Sequence, residues 1–368
     1  PKRLVTLRSY IEERNYFYFN ALRNKSYEDF SVRKNTVPIL SKKAAVLYPI
    51  LYDDRLAVLV SFPNTLQSFS SKVNKEQFLQ AISMLRKSVE QPEKKLDYKK
   101  NAMLLYNWLM KPIKQQLLRQ NINTLVFVLN KELSELPTSV LFDKKGRRNL
   151  VEQYAIGVSP GLMLTDVSIR RRERGGVLIL GADSKSANPN APRLLDLEIK
   201  NISATSRVST HRDNGMNEEN ILKAISSSDV NKIHISAPFF IEGQLNDFYV
   251  LSNERKLQLV SIMGALKQKR KLELVVLNGN MFHSVGKRSE GGILALADTL
   301  GSRSTVATLW PRVSEATPLF MSQFYTFLSS SSISVAMALR QAKMRLIASK
   351  NYQHPAYWAR FELFGNWL

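Results

Sequence analysis

Two short segments carry the residues best placed to do chemistry. One is Ile233-His234-Ile235-Ser236-Ala237-Pro238-Phe239-Phe240, and the other is Val275-Val276-Leu277-Asn278-Gly279-Asn280-Met281-Phe282-His283. Each is an apolar run that breaks into small and polar residues, as a buried strand does where it meets a turn. In parallel sheets functional groups gather just past the carboxyl ends of strands. Imidazoles and a hydroxyl at such ends are the raw material of general-base and nucleophilic catalysis. Thiolate chemistry is excluded, because the chain has no cysteine, and with it go disulfides and soft metal ligation.

The other titratable residues offer little. His283 is followed directly by Ser284, and adjacent residues rarely work as base and nucleophile, since triads assemble across a fold. His234 on an apolar strand reads as a satisfied core histidine, His211 lies in a polar, exposed loop, and His354 belongs to a His-Pro-x-Tyr-Trp stretch near the end. Asp183 with Asp196 or Glu198 could wall an acidic pocket, but they read better as a turn and a solvated helix face. No phosphate-binding loop or dinucleotide fingerprint is present. Four scattered histidines leave no metal-ligand spacing, so neither metal nor cofactor is expected.

The elements that position these segments follow from periodicity. Residues 44–51 and 56–62 are apolar runs joined by Asp53-Asp54, a hairpin signal. Helical spacing marks 75–90 and 97–119, with Pro112 interrupting the second. Apolar runs return at 124–129 and 154–158. After a charged stretch from Arg170 to Gly176, which marks a boundary, strands are expected at 177–183, 230–236, 272–278 and 305–310. Helices are expected at 193–206, 217–227, 255–268, 290–299, 314–328 and 332–348. Near-continuous apolar strands separated by amphipathic helices argue for an α/β fold with a mainly parallel sheet covered on both faces. The first forty residues have no clean period and suit either a lead-in helix or the tail of an upstream helical array.

The chain has 368 residues and is 44% hydrophobic, enough for one large domain or two ordinary ones. It opens at Pro1, without an initiator methionine or signal pattern, and reads as a piece of something longer. No apolar run is long enough for a membrane span, and the absence of cysteine fits a reducing cytoplasm. Lys and Arg outnumber Asp and Glu by 53 to 31, a formal charge of +22. That suits nucleic acid or acidic partners, although the cations are spread along the chain. Dense clusters are Lys144, Lys145, Arg147 and Arg148, then Arg170, Arg171, Arg172 and Arg174, then Lys267, Lys269, Arg270 and Lys271.

Longer motifs carry a resemblance. Leu104-Leu105-Tyr106-Asn107-Trp108-Leu109 with Pro112 leads to Leu125-Val126-Phe127-Val128, Leu136-Pro137 and Val140-Leu141-Phe142-Asp143. Tyr154-Ala155-Ile156 leads to Ser159-Pro160-Gly161-Leu162. Ala307-Thr308-Leu309-Trp310-Pro311 precedes Ser314-Glu315-Ala316-Thr317, Phe324-Tyr325 and Ala338-Leu339-Arg340-Gln341-Ala342. The chain closes with His354-Pro355-Ala356-Tyr357-Trp358-Ala359 and Gly365-Asn366-Trp367-Leu368. In this order and spacing the chain resembles the CHAT family, caspase-like domains related to separase and often found behind tetratricopeptide repeats.

The resemblance implies a caspase-like three-layer sandwich, as two units in tandem. Residues 1–43 would be a lead-in, 44–168 a non-catalytic unit and 175–368 the protease-like unit. An active member has His-x-Ala/Ser-x-His-Gly in the first segment and Leu-Ser-Ala-Cys-x-Thr in the second. Here His234 and Ser236 keep the leading half, the catalytic base position is Pro238, the glycine is Phe239, and the nucleophile position is Asn280. Proline moves no proton, and an amide is neither acid nor nucleophile at neutral pH. Loss of both partners and the glycine points to natural degeneration rather than a single knockout. The expected function is therefore an inactive pseudoprotease that binds a protein or peptide partner. His234, Ser236, Phe239, Phe240 and His283 line the former cleft, and the two phenylalanines either fill it or anchor a partner. Alternatives are nucleic-acid binding through the basic surface and an inert subunit that oligomerises with an active relative.

Overall fold

The structure, a computed structural model, describes residues 2–22, 43–168, 175–182, 190–212, 216–227, 229–241, 248–252, 255–258, 272–279, 281–283, 302–310, 314–330 and 332–368. The hairpin written as two apolar runs around Asp53-Asp54 forms β1 (Ala44–Leu51) and β2 (Arg55–Ser61), paired antiparallel. β3 (Leu66–Lys72) adds to β2. The uninterrupted apolar runs become strands with every residue buried: β4 (Thr124–Val128), β7 (Ala155–Ser159), β8 (Gly176–Gly181), β14 (Leu274–Asn278) and β16 (Ser304–Thr308). Burial on both faces is what a parallel sheet covered by helices demands.

Among the described residues, eleven strands make one sheet in the order β3-β2-β1-β4-β7-β17-β16-β14-β10-β8-β9. Here β9 is Val208–Arg212, β10 is Val230–Ser236 and β17 is Phe361–Gly365. Most neighbours are parallel. The exceptions are the β1-β2 and β2-β3 pairs at one edge and the β16-β17 pair in the middle. Residues 44–168 and 175–368 share this sheet, because β17 from the second stretch lies between β16 and β7, with Phe364 opposite Val158. The closing motif explains itself here. Gly365 has φ +85, and a Cβ on it would lie 2.8 Å from the Arg303 carbonyl oxygen. Asn366 then donates its backbone N–H to the same carbonyl at 2.8 Å.

The expected helices are found, with ends shifted by no more than three residues, as α2 (Lys75–Glu90), α5 (Ala191–Ser203), α6 (Glu218–Ser227), α7 (Ala316–Leu328) and α8 (Val335–Ile347). The stretch 97–119 splits into α3 (Tyr98–Leu109) and α4 (Lys114–Arg119), with Pro112 between them. The opening residues form a helix, α1 (Lys2–Leu22), tied down by polar contacts. The Tyr48 hydroxyl donates to Glu12 Oε1 at 2.7 Å, the Met163 N–H to Glu12 Oε2 at 3.2 Å, and the Asn15 amide to the Pro160 carbonyl at 2.9 Å. Burial pushes the Glu12 carboxyl up, against the hydrogen bonds it accepts.

Two expectations need correction. Residues 255–258 are not helical: they form β13 (Arg255–Gln258), paired with β12 (Phe248–Ser252). Half-buried Leu257 between exposed Lys256 and Gln258 has the two-residue period of a strand. His211 is in β9, at the sheet edge, rather than in a loop. The expected helix at 290–299, and Arg170, Arg171, Arg172 and Arg174, lie outside the described residues, as does the cluster from Lys267 to Lys271. A small hairpin of β5 (Phe142–Asp143) and β6 (Arg148–Asn149) stands apart from the main sheet. Among the described residues no helix is long and apolar enough to cross a membrane.

Candidate functional site

β10 and β14 lie side by side in parallel, with Ser236 opposite Asn278 at their carboxyl ends. Each chain then enters a second, four-stranded sheet, where β11 (Phe239–Ile241) pairs in parallel with β15 (Met281–His283) and Phe239 faces Met281. The register is the same in both ladders. The crossover between the sheets is therefore where the two segments singled out in the sequence run together. Pro238 is buried at this point; Asn280 lies outside the described residues.

The crossover is tight. The Ala237 N–H donates to the Asn278 carbonyl at 3.2 Å. A Cβ at position 279 would lie 1.9 Å from the Ala237 carbonyl oxygen, so only glycine fits there. The same imagined atom would lie 2.8 Å from Phe239 Cζ, which puts the end of the phenyl ring against Gly279. The Thr308 hydroxyl donates to the Gly279 carbonyl at 2.9 Å and fixes the turn from the β16 side. Phe239 is fully buried and belongs to the continuous apolar core. Of the two roles left open for it, filling and anchoring, burial fits the first: a ring without exposed surface offers nothing to a partner.

Next to the crossover, the kept residues form a polar network around a group the sequence reading had placed in solvent. Glu198 is buried at 3% exposure. His234 Nε2 lies 3.0 Å from its Oε1, the Asn278 amide donates to the same oxygen at 2.7 Å, and the Ser236 hydroxyl donates to Oε2 at 2.8 Å. His234 Nδ1 lies 3.1 Å from the Tyr325 hydroxyl. Burial, then the Glu198 charge, holds the Tyr325 hydroxyl well above its ordinary pKa, so it keeps its proton. The His234 ring is thus held between the Tyr325 hydroxyl on Nδ1 and the Glu198 carboxyl on Nε2. Both imidazole nitrogens are committed, and His234 has no exposed surface. A carboxylate buried with three donors is a satisfied hub. It ties α5 to the ends of β10 and β14.

A signal for Glu198 was present in the sequence. It lies on the stripe Leu194, Leu195, Ile202, the buried face of α5. Asp196, off that stripe, is exposed and pairs with Arg212, while Asp183 lies outside the described residues. His354 caps a short helix, α9 (Pro355–Trp358), by accepting from the Ala356 N–H. Phe240 and His283 lie on β11 and β15, but their side chains are outside the described set. Lys144, Lys145, Arg147 and Arg148 are exposed on the β5–β6 hairpin, which belongs to neither ladder of the crossover.

Comparison with known proteins agrees with the fold. The model of the CHAT domain matches residues 99–366. Human Tetratricopeptide repeat protein 28 is 30% identical over 111 residues, which are 29% of this chain and 4% of that protein. The crystal structure of the Saccharomyces cerevisiae separase-securin complex superposes over 88% of this chain and 30% of the matched one. The TM-score there is 0.54 at 9% identity, so the likeness is one of fold. The chain thus spans only a small part of the length of either relative.

Proposed function

We propose a function from one premise: this chain belongs to the CHAT domain family. Within it the chain is a pseudoprotease, a caspase-like fold kept as a protein-binding or scaffold module after its chemistry was lost. The observation that carries this reading is the crossover itself. Where the family motif has its base, Pro238 offers no proton acceptor, and the glycine that follows is replaced by Phe239, whose buried ring lies against Gly279. Neither neighbour substitutes for the base, since His234 is locked between Glu198 and Tyr325 and the Ser236 hydroxyl is bound to Glu198. A chain without cysteine also has no thiolate to activate.

The lost cleft and the intact core together favour binding over hydrolysis. The separase relative was solved as a complex with securin, and a protein partner is the class we take for this chain. The test is incubation of the purified chain with a denatured proteome, followed by identification of new peptide termini by mass spectrometry. No new termini above a blank are expected. Reproducible cleavage at a defined sequence, abolished by Ser236→Ala or His234→Ala, would sink the pseudoprotease reading.

A further inference from the structure

The β5–β6 hairpin has no part in the crossover, and its chemistry calls for a different ligand. Its two strands pair Phe142 with Asn149 and Asp143 with Arg148. Asp143 and Asn149 at its base are buried, whereas Lys144, Lys145, Arg147 and Arg148 are all exposed. Four cations thus project from a tip of five residues.

The tip is built rather than loose. Asp143, the single acid between Phe142 and Asn149, is turned inward, where its carboxylate takes the Lys114 ammonium and the Lys145 N–H. Arg147 has φ 51, a left-handed conformation that costs about 1–2 kcal/mol in a residue with a Cβ. The base is docked as well: Asn149 donates its amide to the Val140 carbonyl at 2.8 Å, and Lys99 of α3 stands 5.2 Å from the Phe142 ring. Exposed Lys99 extends the positive surface from the hairpin onto α3.

We propose that this hairpin is a docking element for duplex DNA, held through the phosphate backbone. Shape and charge together select the ligand. The tip is convex and cationic, so its complement is concave and anionic, and the groove of a duplex admits a two-stranded ribbon between two rows of phosphates. An acidic peptide is itself flexible and convex and needs a groove on the protein instead. The chain's excess of 53 basic over 31 acidic residues supplies the long-range attraction. Contacts of this kind carry no base readout, so binding is independent of sequence. The inference stands apart from the cleft reading and survives its failure.

The experiment compares three proteins by fluorescence anisotropy on a short duplex DNA across a salt series. These are the parent, the hairpin variant (Lys144→Ser, Lys145→Ser, Arg147→Asn, Arg148→Ser), and a control losing four other exposed lysines (Lys72→Ser, Lys87→Ser, Lys200→Ser, Lys350→Ser). Asparagine is chosen at 147 because it tolerates positive φ. Four phosphate contacts give a slope of log affinity against log salt of about −3.6, a loss of about 150-fold between 50 and 200 mM. The hairpin variant should lose most of that slope and bind at least about tenfold more weakly at low salt, while the control retains the parent's slope. Equal circular dichroism spectra establish that both variants fold. No binding by the parent overturns the proposal. Equal losses in both variants would mean net charge alone, and competition by polyglutamate as effective as by duplex would mean an acidic protein ligand; either overturns it too.

Discussion

Phe239→Ala gives the sharpest stability test of a filled crossover. The ring is fully buried, part of the continuous core, and packed end-on against Gly279. Removing a buried phenyl from a site that cannot collapse costs about 3–5 kcal/mol, through lost transfer energy and the cavity left behind. Collapse is blocked on one side, because the Ala237 N–H is bonded to the Asn278 carbonyl and the Gly279 carbonyl accepts from the Thr308 hydroxyl. For a chain of 368 residues each kcal/mol moves the melting temperature by about 1.3 °C, so the variant should melt about 4–6 °C lower. Thermal and urea unfolding followed by circular dichroism give the number. Tyr52→Ala is the matched control: its ring is 40% exposed, and surface changes of this kind stay near about 0.5 kcal/mol. If Phe239→Ala were as mild as the control, the ring would be lying in an open cleft, and the account of a filled crossover would be refuted.

Other expectations follow from the same geometry. Gly279→Ala should destabilise more than Phe239→Ala, and the double variant should not recover, because the Ala237 carbonyl 1.9 Å from the new Cβ remains when the ring is gone; urea midpoints of the three variants decide this. Glu198→Leu strands the donors of His234, Ser236 and Asn278, and at about 1–3 kcal/mol per unmet buried group should cost at least about 3 kcal/mol. Glu198→Gln keeps an acceptor, and the Ser236 hydroxyl is free to turn and accept, so its loss should be less than half as large in the same assay. Burial raises the Asp143 pKa, but the Lys114 ammonium and the N–H groups of Gly146 and Lys145 outweigh it and hold the carboxyl below its ordinary value. Its folded pKa is thus depressed, so its contribution to stability is present above the unfolded value and is lost as pH falls through the folded one. Asp143→Asn should flatten the acid limb of the stability curve below about pH 4 and leave the neutral region's slope unchanged, as equilibrium unfolding across pH will show.

What was legible in the sequence depended on whether a residue's environment is written by its neighbours in the chain. β4, β8 and β14 are buried throughout and apolar but for Thr124 and Asn278 at their ends, so their runs announced them. β3 (Leu-Gln-Ser-Phe-Ser-Ser-Lys) is a strand because β2 offers it a ladder, and nothing local demands that. Arg255 to Gln258 looked like a helix start, and pairing with β12 made them a strand. Glu12 was hidden because α1 lacks a clean period, and its burial comes from Tyr48 and Met163, far away in sequence. Glu198 was missed for the opposite reason: its place on an apolar stripe was visible, but charge was given more weight than position. The assignment of Pro238 and Asn280 to the family's base and nucleophile positions rests on the motif alone. That their segments converge at a single crossover, and that the Phe239 ring fills it, needed the register of two ladders.

A chain without cysteine permits one direct measurement of the central claim. Asn280→Cys places a single thiol next to Gly279, and its rate of reaction with a small disulfide reagent, taken across pH, reports both access and activation. A filled cleft without its base predicts slow labelling in the folded protein, with the half-maximal rate at or above the ordinary thiol pKa of about 8.5. Adding Phe239→Gly should raise the rate at least about tenfold without moving that midpoint. Fast labelling in the single variant, with a midpoint shifted to acid pH, would contradict the account, because it would mean an open cleft in which some group still activates a nucleophile.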